Sequence, residues 1–221
     1  RYALRLADRS AEMIGEPGGH EVVAFDIADL EACRRACDGI DTVVHLAADP
    51  SPRADFYESL LDNNIKGTYN IFRAAKDRGC ARVIFASSIN AVDAYPRDTQ
   101  VHPDDPIRAP NMYGVSKCFG EATARYFADV ERLSGICIRI GSYNAGGQRP
   151  TSARGLSAFV SPRDLNQLLV RCIETTDVHF AIVHGLSDNR FKRMDITSAR
   201  ELLGYQPQDD AFKLFDVNLP D

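Results

Sequence analysis

Short apolar runs and longer amphipathic stretches take turns along this chain, and that alternation constrains its fold more than any single residue. Strand-like runs fall at Tyr2–Ala7, Glu21–Asp26, Thr42–Ala47, Arg82–Ser87 and Ile136–Ile140, with a further one near Phe180–His184. Helical patterns lie between them at about Asp29–Cys37, Asp55–Arg78, Met112–Leu133, Pro162–Thr175 and Ile196–Leu203. Strands separated by helix-length segments predict an α/β fold with a parallel, doubly wound sheet. Arg97–Pro110 is rich in Pro and Asp with no apolar period, and is predicted to be a loop. At 221 residues the chain can bury a full core as one large domain.

Bulk properties narrow the classes further. The net charge is −5, which offers no basic surface for nucleic acid or anionic membrane. No apolar stretch approaches the roughly 20 residues of a membrane helix. The six cysteines (33, 37, 80, 118, 137 and 172) contain no C-x-x-C pair. They read as small core residues of a reduced protein, so a cytoplasmic location is expected. No group of His and Cys has metal-ligand spacing, and no metal is expected.

In open α/β sheets ligands bind at the carboxyl ends of the strands. The run Ala81–Ala86 ends there in the hydroxyl pair Ser87-Ser88, and Tyr113 opens the next long helix with Lys117 four residues on. That spacing sets Tyr113 and Lys117 on one helical face. An ammonium beside a phenol favours the phenolate, which makes Tyr113 a usable base near neutral pH. By spacing alone, an ordinary amphipathic helix with a Tyr at its start explains the pair equally well.

Taken with Ser88, 25 positions before Tyr113, the set resembles the short-chain dehydrogenase/reductase superfamily in its extended, epimerase/dehydratase-like branch. Within it the segments Val83–Ser88, Tyr113–Glu121, Ile138–Ser142 and Gly185–Asn189 are most similar to uronate dehydrogenases. The resemblance implies a Rossmann-like core over 1–142 and a small substrate-binding portion over 143–221 that is not an independent domain. It also implies that the first strand and its glycine-rich turn precede Arg1, about 25 residues in the length of such a unit.

The site residues follow from the same resemblance. Ser88, Tyr113 and Lys117 are the catalytic set, and Asn64 matches a helix Asn that relays protons through water to the Lys, although a surface polar residue would read the same. Asp8, at the end of a strand, matches the acid that binds the adenosine ribose and favours NAD. Arg9 beside it leaves NADP open, and an Asp that merely starts a turn also fits. Asp26 and Ile27 match positions near the adenine, and Leu46, Ala47 and Ala48 a small-residue turn against the cofactor. Ile140, with Tyr113 and Lys117, completes the cofactor set. Ser142 and Arg154 match substrate-binding positions, Arg154 holding a sugar carboxylate, with Arg149 a nearby competitor. Ile89 departs from the subgroup, whose sugar-binding amide it replaces.

The expected activity is NAD-dependent oxidation of a small sugar or sugar acid, with hydride leaving C1. A nucleotide-sugar epimerase or dehydratase and a non-catalytic NAD-binding protein are the rivals. The branch also implies a homodimer built on the Tyr113 helix.

Overall fold

The computed structural model describes residues 2–143 and 146–217. Parallel strands dominate it, as the alternation requires. β1 (Arg5–Asp8) pairs with β2 (Glu21–Ala24), and a four-stranded sheet runs in the order β3 (Thr42–His45), β4 (Arg82–Ser88), β5 (Ser134–Ile140) and β8 (Phe180–Gly185). The register sets Ser88 opposite Ile140 and Ile140 opposite Gly185, so these three strand ends share one edge. β4 is buried along its whole length, which explains its unbroken apolar run.

Helices cover both faces. α1 (Leu30–Cys37), α2 (Gly67–Asp77) and α3 (Met112–Asp129) lie with the apolar cluster of Phe72, Phe85, Phe127 and Cys137. α5 (Pro162–Glu174) and α6 (Thr197–Leu203) cover the other, around Ile84, Ile136, Leu168 and Val183. Segment 143–217 is therefore not separate from the core, because it supplies β8 and two of the covering helices. The chain also forms the short pair β6 (Ser142–Tyr143) and β7 (Phe159–Val160), with α4 (Ala153–Ser157) and α7 (Ala211–Leu214). Among the described residues no helix is long and apolar enough to cross a membrane.

The differences from the sequence pattern have local causes. The helical pattern Asp55–Arg78 is one continuous rod in two windings, a π-helix over Phe56–Lys66 followed by α2. Hydrophobic spacing over three turns cannot separate the two. The pattern Met112–Leu133 overshoots: α3 ends at Asp129, and Arg132 turns the chain at φ 60° into β5. A glycine is the usual marker of such a turn, and here there is none. β6, β7, α4 and α7 are too short to carry a period.

α3 is seated by glycines. A Cβ at Gly120 would lie 2.1 Å from Cζ of Phe85, and one at Gly114 would lie 2.3 Å from the carbonyl oxygen of Asn90. The helix can approach β4 and the turn after it only because both positions lack a side chain. Phe85 is itself buried in the core and has no free space to move into. Gly120→Ala is expected to cost about 1–3 kcal/mol by overpacking, measured as a lowered denaturation midpoint. An unchanged midpoint would contradict this seating.

Candidate active site

The carboxyl end of β4 and the first turn of α3 bring Ser88, Tyr113 and Lys117 together. Asn111 starts the helix, its side chain accepting the Gly114 N–H at 2.8 Å, and this cap fixes where Tyr113 emerges. Tyr113 is buried, with the Ser88 hydroxyl beside its phenol. The Ser88 oxygen also accepts from the backbone and the side-chain amide of Asn90, both at 3.2 Å. Asn111 donates to Asn90 Oδ1 at 3.1 Å, extending a chain of polar contacts from the serine to the helix cap. Ile89 instead packs among Val92, Val101, Leu186 and Met194. The amide at this turn is therefore Asn90, which the sequence alone does not single out.

Lys117 carries a buried cation that, among the described residues, has no carboxylate partner. Its ammonium donates to the Ala86 carbonyl at 2.8 Å and lies 5.1 Å from the Phe85 ring centre and 5.6 Å from that of Tyr113. Burial lowers it to about 8. The simple expectation for Tyr113 needs correction here. Its phenol lies above its ordinary value, because burial outweighs the effect of the neighbouring Ser88 hydroxyl, and the charge of Asp49 pushes the same way as burial. Proximity to Lys117 alone does not make it a base at neutral pH.

Asn64 sits in the π-helix, a winding that often marks functional positions. Its amide accepts from Asp49 N at 2.8 Å and donates to the Asp49 carbonyl at 3.1 Å and to Ser116 Oγ at 3.0 Å. Ser116 in turn donates to the Tyr113 carbonyl at 2.7 Å. The side chain of Asn64 is thus spent on tying the loop after β3 to α3, and among the described residues it makes no hydrogen bond to Lys117.

Beneath the site, Ser87 donates to Glu121 at 2.6 Å, and Arg139 grips both oxygens of Glu121 at 2.8 and 2.9 Å. All three are buried. This network locks β4, β5 and α3 to one another directly under Ser88. Inward polar residues at strand positions were the available signal, but their partners are not readable without the fold.

The remaining sequence-derived positions line strand ends. Asp8 closes β1 exposed, with Oδ1 accepting from Arg9 N at 2.6 Å. Asp26 follows β2 and is exposed, while Ile27 packs against Gly67 and its carbonyl accepts from Asn70. After β3, Leu46 is 59% exposed, Ala47 is exposed and Ala48 is half-buried. An uncovered Leu beside two small residues, with carboxylates at the next strand ends, fits the flat rings and ribose hydroxyls of a dinucleotide. Ile140 is half-buried opposite Ser88, and Ser142 donates its N–H to the Ala158 carbonyl at 2.7 Å. Arg154, on α4, turns to Asp93 in the loop after Ser88.

His45 closes β3 in the same region, with Nε2 3.3 Å from Thr68 Oγ1. Burial, helped by the charge on Lys117, lowers it to about 3, and burial lowers His184 to about 4. Both are neutral when folded but take up protons when unfolded below their ordinary value of 6.5. Stability is therefore complete above about pH 6.5 and falls as the pH drops toward 4, by about 1.4 kcal/mol per unit for each histidine. In denaturant titrations at several pH values, His45→Gln is expected to show a shallower loss than the parent. Equal slopes would contradict the burial of a neutral ring.

Residues 3–170 match the model of the NAD dependent epimerase/dehydratase family. An NAD-dependent glucose-6-phosphate dehydrogenase of Haloferax volcanii is 40% identical over 95% of this chain and 86% of its own length. From the same organism, an L-arabinose 1-dehydrogenase (NAD(P)(+)) is 34% identical over 89% of this chain and 85% of its own. The crystal structure of a uronate dehydrogenase from Agrobacterium tumefaciens, a point variant complexed with NAD, superposes with a TM-score of 0.85. It is 33% identical, and the match covers 98% of this chain and 81% of that one.

Proposed function

The chain belongs to the NAD dependent epimerase/dehydratase family, and we propose that within it the chain oxidises a small sugar or sugar acid at C1. The observation that carries this reading is the convergence of Ser88, at the end of β4, with Tyr113 and Lys117 on the first turns of α3, the Lys117 ammonium lying 5.6 Å from the centre of the phenol ring. Those three groups are suited to taking a proton from an alcohol, and the relatives named as sugar dehydrogenases supply the alcohol's class.

Asp8, Asp26, Ile27, Leu46, Ala47, Ala48 and Ile140 would hold the dinucleotide, as would Tyr113 and Lys117. Bound NAD supplies the acceptor for the hydride that leaves C1. Ser88 holds the C1 hydroxyl by a hydrogen bond and orients it toward Tyr113. Tyr113 takes the hydroxyl proton. Lys117 keeps positive charge against the phenol ring, and its lowered value of about 8 leaves it charged through neutral pH. Asn64 acts on this set by fixing the start of α3 through Ser116. Ser142 contacts the substrate from β6. For a ring-form sugar the product is the lactone.

The reading includes a homodimer built on α3, where Met112, Val115 and Tyr126 leave apolar surface exposed. Light scattering on the purified protein tests it, and a monomer at working concentration would overturn it.

The phenol must lose its proton, and burial holds it above its ordinary value. Activity is therefore expected to rise with pH. Lys117→Met removes a nearby cation and is expected to move that rise to higher pH in profiles of kcat/KM. A profile that stays in place would contradict the role of Lys117. Tyr113→Phe is expected to lower NADH formation by about 10²- to 10⁴-fold while NAD still binds. Substantial residual turnover would sink the assignment of Tyr113 as the base.

A further inference from the structure

Asp93 lies five residues beyond Ser88, on the loop that leaves the carboxyl end of β4. It is buried: its side chain is 4% exposed. Arg154 meets it with two nitrogens, Nε on Oδ1 at 3.1 Å and Nη2 on Oδ2. This is the bidentate fork by which a guanidinium binds any carboxylate. The Arg154 side chain is itself 56% exposed, so the guanidinium stands at the rim with its fork turned inward onto the protein's own acid.

The loop is anchored and holds the acid there. Arg193, 3.4 Å from Asp93 Oδ1, donates to the carbonyls of Tyr95 at 2.8 Å, Pro96 at 2.9 Å and Asp93 at 3.3 Å. Asp93 thus sits between two guanidiniums on a clamped backbone. A substrate anion seeking the Arg154 fork would have to displace a buried carboxylate that Arg193 also faces on a clamped backbone. If it came without expelling Asp93, its charge would lie against a carboxylate already paired with Arg154, a repulsive juxtaposition. A neutral hydroxyl at the same place meets neither cost.

We propose that Asp93 is a specificity-determining residue that closes the fork of Arg154, so that the site selects a neutral sugar over its acid or phosphate. The proposal rests on the reading of the site as a sugar dehydrogenase and names the charge class of its substrate. That class is what the similar proteins leave open, since their names span a phosphorylated sugar, a sugar acid and a neutral aldose.

The test compares kcat/KM with NAD⁺ for sugars that differ only at C6: galactose against galacturonate, and glucose against glucuronate and glucose 6-phosphate. The wild type is expected to favour the neutral member by at least about tenfold. Asp93→Asn keeps the shape and removes the charge, and is expected to raise the acid-to-neutral ratio by about tenfold or more. Asp93→Ser serves in its place if the amide variant does not fold. A purely structural role would lower both activities together and leave the ratio still. Adding Arg154→Gln to Asp93→Asn is expected to return the ratio toward the wild-type value.

A wild-type preference for the acid or the phosphate would overturn the proposal. So would a ratio that Asp93→Asn leaves unchanged, or a shift that persists without Arg154. Should no sugar reduce NAD⁺, the reading of the reaction has failed, and calorimetric titration of galacturonate still decides the role of Asp93. Tighter binding to Asp93→Asn than to the wild type supports it, and equal binding overturns it.

Discussion

A buried ammonium without a counter-ion sets the terms for this site. Lys117 is held by one carbonyl and two aromatic faces, and among the described residues no carboxylate pairs with it. The cost appears in its own value, lowered to about 8, and in His45, which the same charge helps to keep neutral. A protein that simply wanted stability would place an apolar side chain here. The charge is useful where negative charge develops, and the phenol of Tyr113 is the group beside it. Because Tyr113 lies above its ordinary value in the structure, the proposed base would need further positive charge, which a bound cofactor supplies. That ties the chemistry to a loaded site rather than to the protein alone.

Holding that ammonium requires α3 to press against β4 closely enough for Lys117 to reach the Ala86 carbonyl. Two features meet the requirement. Gly114 and Gly120 remove the side chains that would collide with Asn90 and Phe85. Below them, Glu121 and Arg139 form a buried pair that also holds Ser87. The same helix therefore carries Tyr113, Lys117 and Glu121 on successive turns. Packing and chemistry are set by one approach of helix to strand.

Much of this was legible in the sequence, for physical reasons that differ from residue to residue. The strands at Thr42, Arg82 and Phe180 were readable because strands buried on both faces leave continuous apolar runs. Ser88, Tyr113 and Lys117 were readable because strand end and helix start impose fixed positions on them. What sequence could not supply were partners distant along the chain. Asn64 carries a plausible relay motif, yet its amide is spent on Asp49 and Ser116. Arg154 was matched to a substrate carboxylate, yet its fork meets Asp93, 61 residues away. The direction of the Tyr113 shift was also hidden, because spacing reports proximity to Lys117 and says nothing of burial. Nor does apolar spacing distinguish the π winding of Phe56–Lys66 from an α-helix.

The central claim is that hydride leaves C1 of a sugar as Tyr113 takes the hydroxyl proton. The most direct measurement follows a deuterium label placed at C1 of the sugar through turnover with NAD⁺. The account predicts deuterium on the reduced nicotinamide, with a slower rate than for the unlabelled sugar. Deuterium retained on the sugar while NADH forms would contradict it, because the hydride would then come from another carbon.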